Sequence, residues 1–284
     1  MDRDEGITVR TAVVGHVEWV DFAHVERVPS PGEIVHAKDS WAVPAGGGAA
    51  AAVQLLKLAG AVTLFTALGS DARGTDSRRG LERLGVRVES VVHPLPQRRC
   101  FTYLDRTGER TITTMGERLN PSAADHLAWD ELAGTDGVYF TAGDHGALEA
   151  ARRARVLVAT SRVLDLLAGT GVRLDVLVGS AFDPSEAYRR GDLDPPPRLV
   201  VRTEGADGGT YEADDGRSGR YPATPLPGPI VDSYGCGDSF AAGLTFGLAA
   251  GYGVIEALKL AARCGAACLT GRGPYEGQLD LRGS

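Results

Sequence analysis

Between Asp232 and Asp238 the chain reads Asp-Ser-Tyr-Gly-Cys-Gly-Asp. It then runs directly into Ser239-Phe240-Ala241-Ala242-Gly243-Leu244, a string of small and apolar residues with the pattern of a buried helix. A helix that starts inside the molecule leaves its first backbone N–H groups without intrahelical acceptors. Glycines at 235 and 237 allow the chain to turn so that these groups face inward, where the positive end of the helix dipole favours an anion. Asp238 follows at once, placed beside such an anion as a base. The competing reading is a glycine-rich loop with an aspartate capping a helix, and local sequence alone leaves both open.

The rest of the chain narrows what fold surrounds this segment. Apolar stretches at residues 11–15, 137–141, 156–159, 176–178 and 199–203 read as core strands, and the spacing predicts helices over residues 122–132, 147–154 and 161–168 between them. Alternating β and α units imply a largely parallel sheet covered by helices on both faces, with ligands bound beyond the strand C-termini. Residues 100–104 and 110–114 flank a polar turn and read as a hairpin, residues 34–37 as an extended arm, and residues 210–211 with 219–221 as a second short hairpin.

The 284 residues fit one large α/β domain with a small appendage. A net charge of −7 and the lack of a long Lys/Arg run argue against a nucleic-acid surface. The opening residues lack the basic-then-apolar order of a secretory signal, and no apolar run is long enough to span a membrane, so a cytoplasmic location is expected. Cys100, Cys236, Cys264 and Cys268 match no zinc spacing and read as small buried thiols. The helix-start position of Cys236 would favour a lowered pKa. A Walker-type Gly-Lys-Ser/Thr loop, a Gly-x-Gly-x-x-Gly turn after a strand, a Gly-x-Ser-x-Gly elbow and a His-Glu-x-x-His helix are all absent.

The Asp232–Asp238 segment resembles the Asp-Thr-x-Gly-x-Gly-Asp signature of the ribokinase-like, or PfkB-type, carbohydrate and nucleoside kinases, with Ser233 in the threonine position. A second element agrees in order and kind. Gly46-Gly47-Gly48-Ala49-Ala50-Ala51 opens a helix that ends at Leu58-Ala59-Gly60, with Ala51 where the family usually carries asparagine. The resemblance implies a single domain over residues 1–284. Its fold would be a Rossmann-like three-layer α/β/α ribokinase type, with a small β lid drawn from residues 16–43 and 99–115. It further implies ATP-dependent phosphoryl transfer to a hydroxyl of a small sugar or related alcohol. A nucleoside kinase is the alternative within kinases, and a non-catalytic sugar or nucleotide sensor the alternative outside them.

On that resemblance Asp238 would be the general base, and the amides of Gly235, Cys236 and Gly237 would form the anion hole. Asp232, Thr203, Gly205, Ala266, Thr270 and Gly273 would serve the nucleotide. Glu18, Asp21, Gly46, Gly47, Ala51 and Asp238 would line the substrate end, where His16, Trp19 and Trp41 could build a flatter pocket. The family's Asn-x-x-Glu element after a central strand is altered here to Ser180-Ala181-Phe182-Asp183, which leaves Asp183 and nearby Glu186 as the carboxylates for Mg2+. A homodimer paired through the lid is a further implication.

Overall fold

The computed structural model describes residues 9–282, so the acidic leader at residues 1–5 lies outside the described residues. The main sheet has nine strands in the order β13-β12-β11-β10-β9-β8-β1-β4-β5. Its centre is formed by β1 (Thr11–Val14), β4 (Val62–Gly69), β8 (Gly137–Phe140), β9 (Val156–Thr160) and β10 (Val176–Ser180). β5 (Arg87–His93) and β11 (Leu199–Thr203) extend it, and every pairing from β5 to β11 is parallel. The hairpin β12 (Gly209–Ala213) and β13 (Ser218–Tyr221) closes one edge in antiparallel register.

These strands are Val- and Leu-rich because both of their faces are covered. Val13, Leu64, Val158, Val178 and Val201 point to one side, where α1 (Gly47–Ala59), α5 (Cys236–Ala249) and α6 (Val254–Cys268) complete a core. Their alternating neighbours Val14, Phe65, Val138, Leu157 and Val200 point to the other, against α3 (His145–Arg152) and α4 (Leu164–Leu167). α2 (Ala72–Arg83) lies beside β4 and β5 and buries Leu81 in the first core. The result is the three-layer α/β/α architecture. α5 packs very closely on α6, because a Cβ at Gly243 would lie 2.8 Å from Cys264 Sγ and one at Gly247 3.0 Å from Ala257.

A second sheet of four strands stands apart in the order β3-β2-β6-β7. It is built from β2 (Glu18–His24), β3 (Asp39–Ala45), β6 (Arg99–Leu104) and β7 (Arg110–Met115). One face of β2 and β6, carrying Val20, Phe22, Cys100 and Leu104, packs onto Tyr234 of the signature loop. The second sheet therefore rests against the start of α5. Residues 34–37 are not part of it: they form an exposed loop, with Ile34 89% exposed.

The helix expected over residues 122–132 does not form. Side chains offer these residues other partners, one nearby and one distant: Ser122 N–H donates to Asp125, the Ser122 hydroxyl donates to Asp144, and Ala123 N–H donates to the same Asp144 carboxylate that caps α3. Such side-chain bonds give the backbone an alternative to the helical ladder. Only a short 3-10 turn at Trp129–Gly134 remains, with Trp129 stacked on Phe65. The segment at residues 161–168 likewise shrinks to a 3-10 turn and the one-turn α4. Among the described residues no helix is long and apolar enough to cross a membrane.

Candidate active site

The cleft lies where the C-terminal ends of the parallel strands meet the starts of α1 and α5. Gly235 caps α5 with φ +80°, a left-handed conformation that L side chains rarely adopt. It turns the chain so that α5 begins at Cys236, and the amides of residues 235–238 carry the helix's unpaired donors. Asp238 sits in the first turn of α5, partly buried. Its Oδ1 accepts from the Tyr139 hydroxyl of β8 at 3.4 Å. Burial in the cleft pushes its pKa up from 3.8 to about 6, against the pull of Arg162 and Arg110, with Glu186 adding to the rise. It is therefore a carboxylate at neutral pH, but a more basic one than usual.

α1 starts directly opposite. Gly46 has φ +91°, its N–H donates to the Tyr234 hydroxyl at 3.2 Å, and Gly48 approaches the end of β1 so closely that a Cβ there would lie 2.7 Å from the His16 carbonyl. Gly47 faces the base: a Cβ at this position would lie 2.9 Å from Asp238 Oδ1 and 3.4 Å from Thr141 Oγ1. Asp238, Gly47 and Thr141 are thus immediate neighbours. Thr141 Oγ1 is in turn 3.3 Å from His16 Nδ1, and Glu18 Oε1 is 4.0 Å from His16 Nε2. Burial, together with Arg118, Arg98 and Arg162, lowers the His16 pKa to about 4, with Glu18 opposing, so the imidazole is neutral. Glu18 is buried, with Arg98 Nε 2.9 Å from its Oε1 and the Cys100 thiol 3.0 Å from its Oε2.

From the second sheet, Arg110 on β7 donates to both the carbonyl and the hydroxyl of Ser233. It clamps that sheet to the signature loop. Below the opposite wall, Arg162 follows β9 and bridges two carboxylates, 2.6 Å from Glu186 Oε1 and 3.4 Å from Asp183 Oδ2. The cleft therefore presents amide donors, a basic carboxylate and several guanidinium groups around one space, an arrangement suited to moving a phosphoryl group.

Over residues 10–175 and 174–280 the chain matches the pattern of the pfkB family carbohydrate kinases. It belongs to that family. A ribokinase of Dictyostelium discoideum is 30% identical over 106 residues, which cover 37% of this chain and only 33% of that enzyme. An ATP-dependent ribose-1-phosphate kinase of Halopiger xanaduensis is 25% identical over an alignment that covers 91% of each protein. Among solved structures, a putative ribokinase from Agrobacterium tumefaciens superposes with a TM-score of 0.79 at 20% identity, covering 97% of this chain and 95% of its own. The Arabidopsis thaliana ribokinase, solved with ribose and ATP, gives 0.75 at 19% identity and 97% coverage of both chains. At these identities the structures establish a shared fold.

Several residues singled out from the sequence of this pfkB-family protein occupy other roles. Asp232 spends its carboxylate on backbone amides. It is fully buried, with Oδ1 accepting from Tyr234 N–H and Oδ2 from Gly273 N–H, each at 2.8 Å, so it braces the loop and also occupies the Gly273 amide. Ala51 lies on α1 and is fully buried in the core that this helix covers. Asp21 alternates with Glu18, Val20 and Phe22 along β2, lies on the opposite face, and pairs with Arg99 at 3.0 Å. Trp41 uses its ring surface for packing, stacked on Phe22 and 4.0 Å beneath the Arg272 guanidinium. Burial raises rather than lowers the Cys236 pKa, overriding the helix start. Cys100, Cys264 and Cys268 are buried free thiols.

Of the residues assigned to the nucleotide from the sequence, Thr203 ends β11 and Gly205 follows with φ +58° beside the exposed Phe182 ring. Ala266 is buried on α6, and Thr270 turns its hydroxyl to the Ala267 carbonyl at 2.8 Å. The Asp183 and Glu186 pair does not suit direct coordination of a divalent ion. Glu186 Oε2 accepts from Ser180 N–H, Asp183 Oδ1 accepts from the amide and hydroxyl of Ser185, and Arg162 neutralises both carboxylates. Among the described residues no three His, Cys, Asp or Glu side chains are grouped to hold a metal. Arg162 itself was legible only as a residue just past a core strand. Arg98, Arg118 and Thr141 carry no local signal and meet through the fold.

Proposed function

We propose that this protein is an ATP-dependent kinase that transfers the γ-phosphoryl group to a hydroxyl of a small sugar or related alcohol. The observation that carries the reading is Asp238, a carboxylate with pKa about 6, standing within one turn of the unpaired amides that open α5. As the acceptor oxygen forms its bond to the γ-phosphorus, the bond from phosphorus to the β,γ-bridging oxygen breaks, and ADP leaves with that electron pair. The acceptor's proton passes to Asp238. Amides of Gly235, Cys236, Gly237 and Asp238 stabilise charge on the transferring group, and Arg162 lies close enough to Asp238 to add to that field.

Thr203, at the half-buried end of β11, and Gly205, exposed just past it, are the positions assigned to the nucleotide; buried Ala266 would shape the wall behind it, and Thr270 its edge. Magnesium would come with ATP, held by the nucleotide's own phosphates and water. The acceptor is a sugar in two relatives whose names state one, ribose and ribose 1-phosphate. A neutral His16, Thr141 and Glu18 offer acceptors and donors suited to sugar hydroxyls. The outer face of the second sheet, where Phe101 and Tyr103 pack edge to face, supports a homodimer paired through that sheet, to be read as the solution mass at micromolar concentration. ADP release with a mass-shifted sugar product tests the kinase reading. Saturable sugar or nucleotide binding with no ADP release across neutral and charged sugars and nucleosides would refute it in favour of a sensor.

A further inference from the structure

We propose that the acceptor carries an oxyanion, a phosphate ester or a carboxylate, which binds Arg118 at the end of the cleft formed by Glu18 and Arg98. The inference rests on the kinase reading and specifies its substrate class. Its basis is an imbalance between neighbouring cations and anions. Arg162 is paired with Glu186 and Asp183, Arg110 is held by Ser233, and Arg98 faces Glu18 at 2.9 Å. Arg118 has no ion pair and no hydrogen bond among the described residues, and its Nε is buried without a partner.

The groups acting on Arg118 are Arg98, Glu18, Arg162 and Cys100, so it belongs to the same end of the cleft. Glu18 is a single carboxylate that already pairs with Arg98 and accepts the Cys100 thiol, so its charge reaches Arg118 without an ion pair between them. Leu119, next in the chain, is buried to 2% exposure and anchors the segment. An unpaired guanidinium held in a half-buried position costs free energy unless a ligand supplies the missing charge. Its planar fork of donors matches an oxyanion in two-point contact and gains little from a neutral hydroxyl. Contiguity completes the geometry. Thr141 and Gly47 join this end to Asp238, so a sugar anchored by its anion at Arg118 and Arg98 would extend a hydroxyl along the cleft toward the base.

The test compares three acceptor groups with the full-length chain and ATP: ribose and glucose, ribose 5-phosphate and glucose 6-phosphate, and gluconate. Turnover is followed as ADP release, and binding is measured separately by calorimetry. The expected result is that a phosphate- or carboxylate-bearing acceptor has the highest kcat/KM, and which of the two does so identifies the anion. Arg118→Gln should raise its KM by about tenfold to a hundredfold, the usual weight of a hydrogen bond to a charged group. Turnover of neutral sugars should hold steady, and Arg118→Lys should recover part of the loss. Unchanged melting of the Gln variant separates this effect from misfolding; if that variant melts early, the Lys variant and the wild-type acceptor ranking carry the test. A neutral sugar as best acceptor, or an unchanged KM in Arg118→Gln, overturns the inference. If none of these acceptors yields ADP, the wider panel of sugars and nucleosides decides the kinase reading separately, and calorimetric preference for anionic over neutral sugars still decides the role of Arg118.

Discussion

Replacing Asp238 by asparagine should move activity and stability in opposite directions. The amide would keep an oxygen to accept from Tyr139 but could not take a proton, so phosphoryl transfer should fall by roughly 10²-fold or more, the usual contribution of a positioned base. Stability follows from the raised pKa. Because the folded carboxyl titrates near 6 rather than 3.8, the folded state holds its proton more tightly than the unfolded chain does. The resulting stabilisation is fully present below about 3.8 and is lost as pH rises through about 6. At pH 8 the ionised Asp238 therefore costs the fold free energy, at most about 3 kcal/mol for a rise of this size. Partial exposure to solvent makes the realised figure smaller. The asparagine variant should melt at or above the wild-type temperature at pH 8, and the gap should close near pH 4. Thermal melts across that range, beside ADP release at saturating ATP and best acceptor, check both halves. Near-wild-type turnover would refute the catalytic assignment, and a lower melting temperature at pH 8 would refute the electrostatic one.

In the wild-type protein kcat/KM should fall tenfold per pH unit below about 6 as Asp238 takes up its proton, measured with a pH-insensitive ADP readout. Arg162→Met removes the largest charge holding that pKa down, so the acid limb should move upward by about one pH unit; an unmoved limb would show that Arg162 does not act on the base. Gly235→Ala forces a side chain into φ +80° with its Cβ 3.2 Å from Pro274, and should cost about 1–2 kcal/mol in urea melts, with turnover reduced as the amides shift. A variant as stable and as fast as wild type would mean the loop does not depend on that turn.

Much of the site could be read before the fold was known because its central part is contiguous in sequence. The 232–238 segment carries its own turn, helix start and carboxylate, and the Gly46–Gly48 run carries the turn that opens α1. Both depend on local backbone conformation, which glycine records directly. The parallel core was legible for a related reason: strands covered on both faces must be apolar along their buried length, as at residues 176–178. Residues 122–132 failed as a helix because Ser122 and Asp125 satisfy their bonds locally and with Asp144, a partner 22 residues from Ser122. Apolar spacing records none of that competition.

What the tertiary structure alone decided is the use of the charges. Asp21 and Glu18 lie three residues apart on one strand, yet the pleat and the packing of Phe22 on Trp41 and Tyr234 send Asp21 to Arg99 on the outer face and Glu18 to the cleft. Asp232 reads as a phosphate-side carboxylate until the end of α6 brings the Gly273 amide to it. Asp183 and Glu186 read as metal ligands until Arg162, from the turn after β9, reaches both. Arg98 and Arg118 lie twenty residues apart at the margins of the second sheet, yet the fold pairs Arg98 with Glu18 and leaves Arg118 within the field of both. Sequence determined which backbone turns and buried strands were possible. A charge's role depends on which partner lies within a few ångströms, and for these residues only long-range packing fixes that distance.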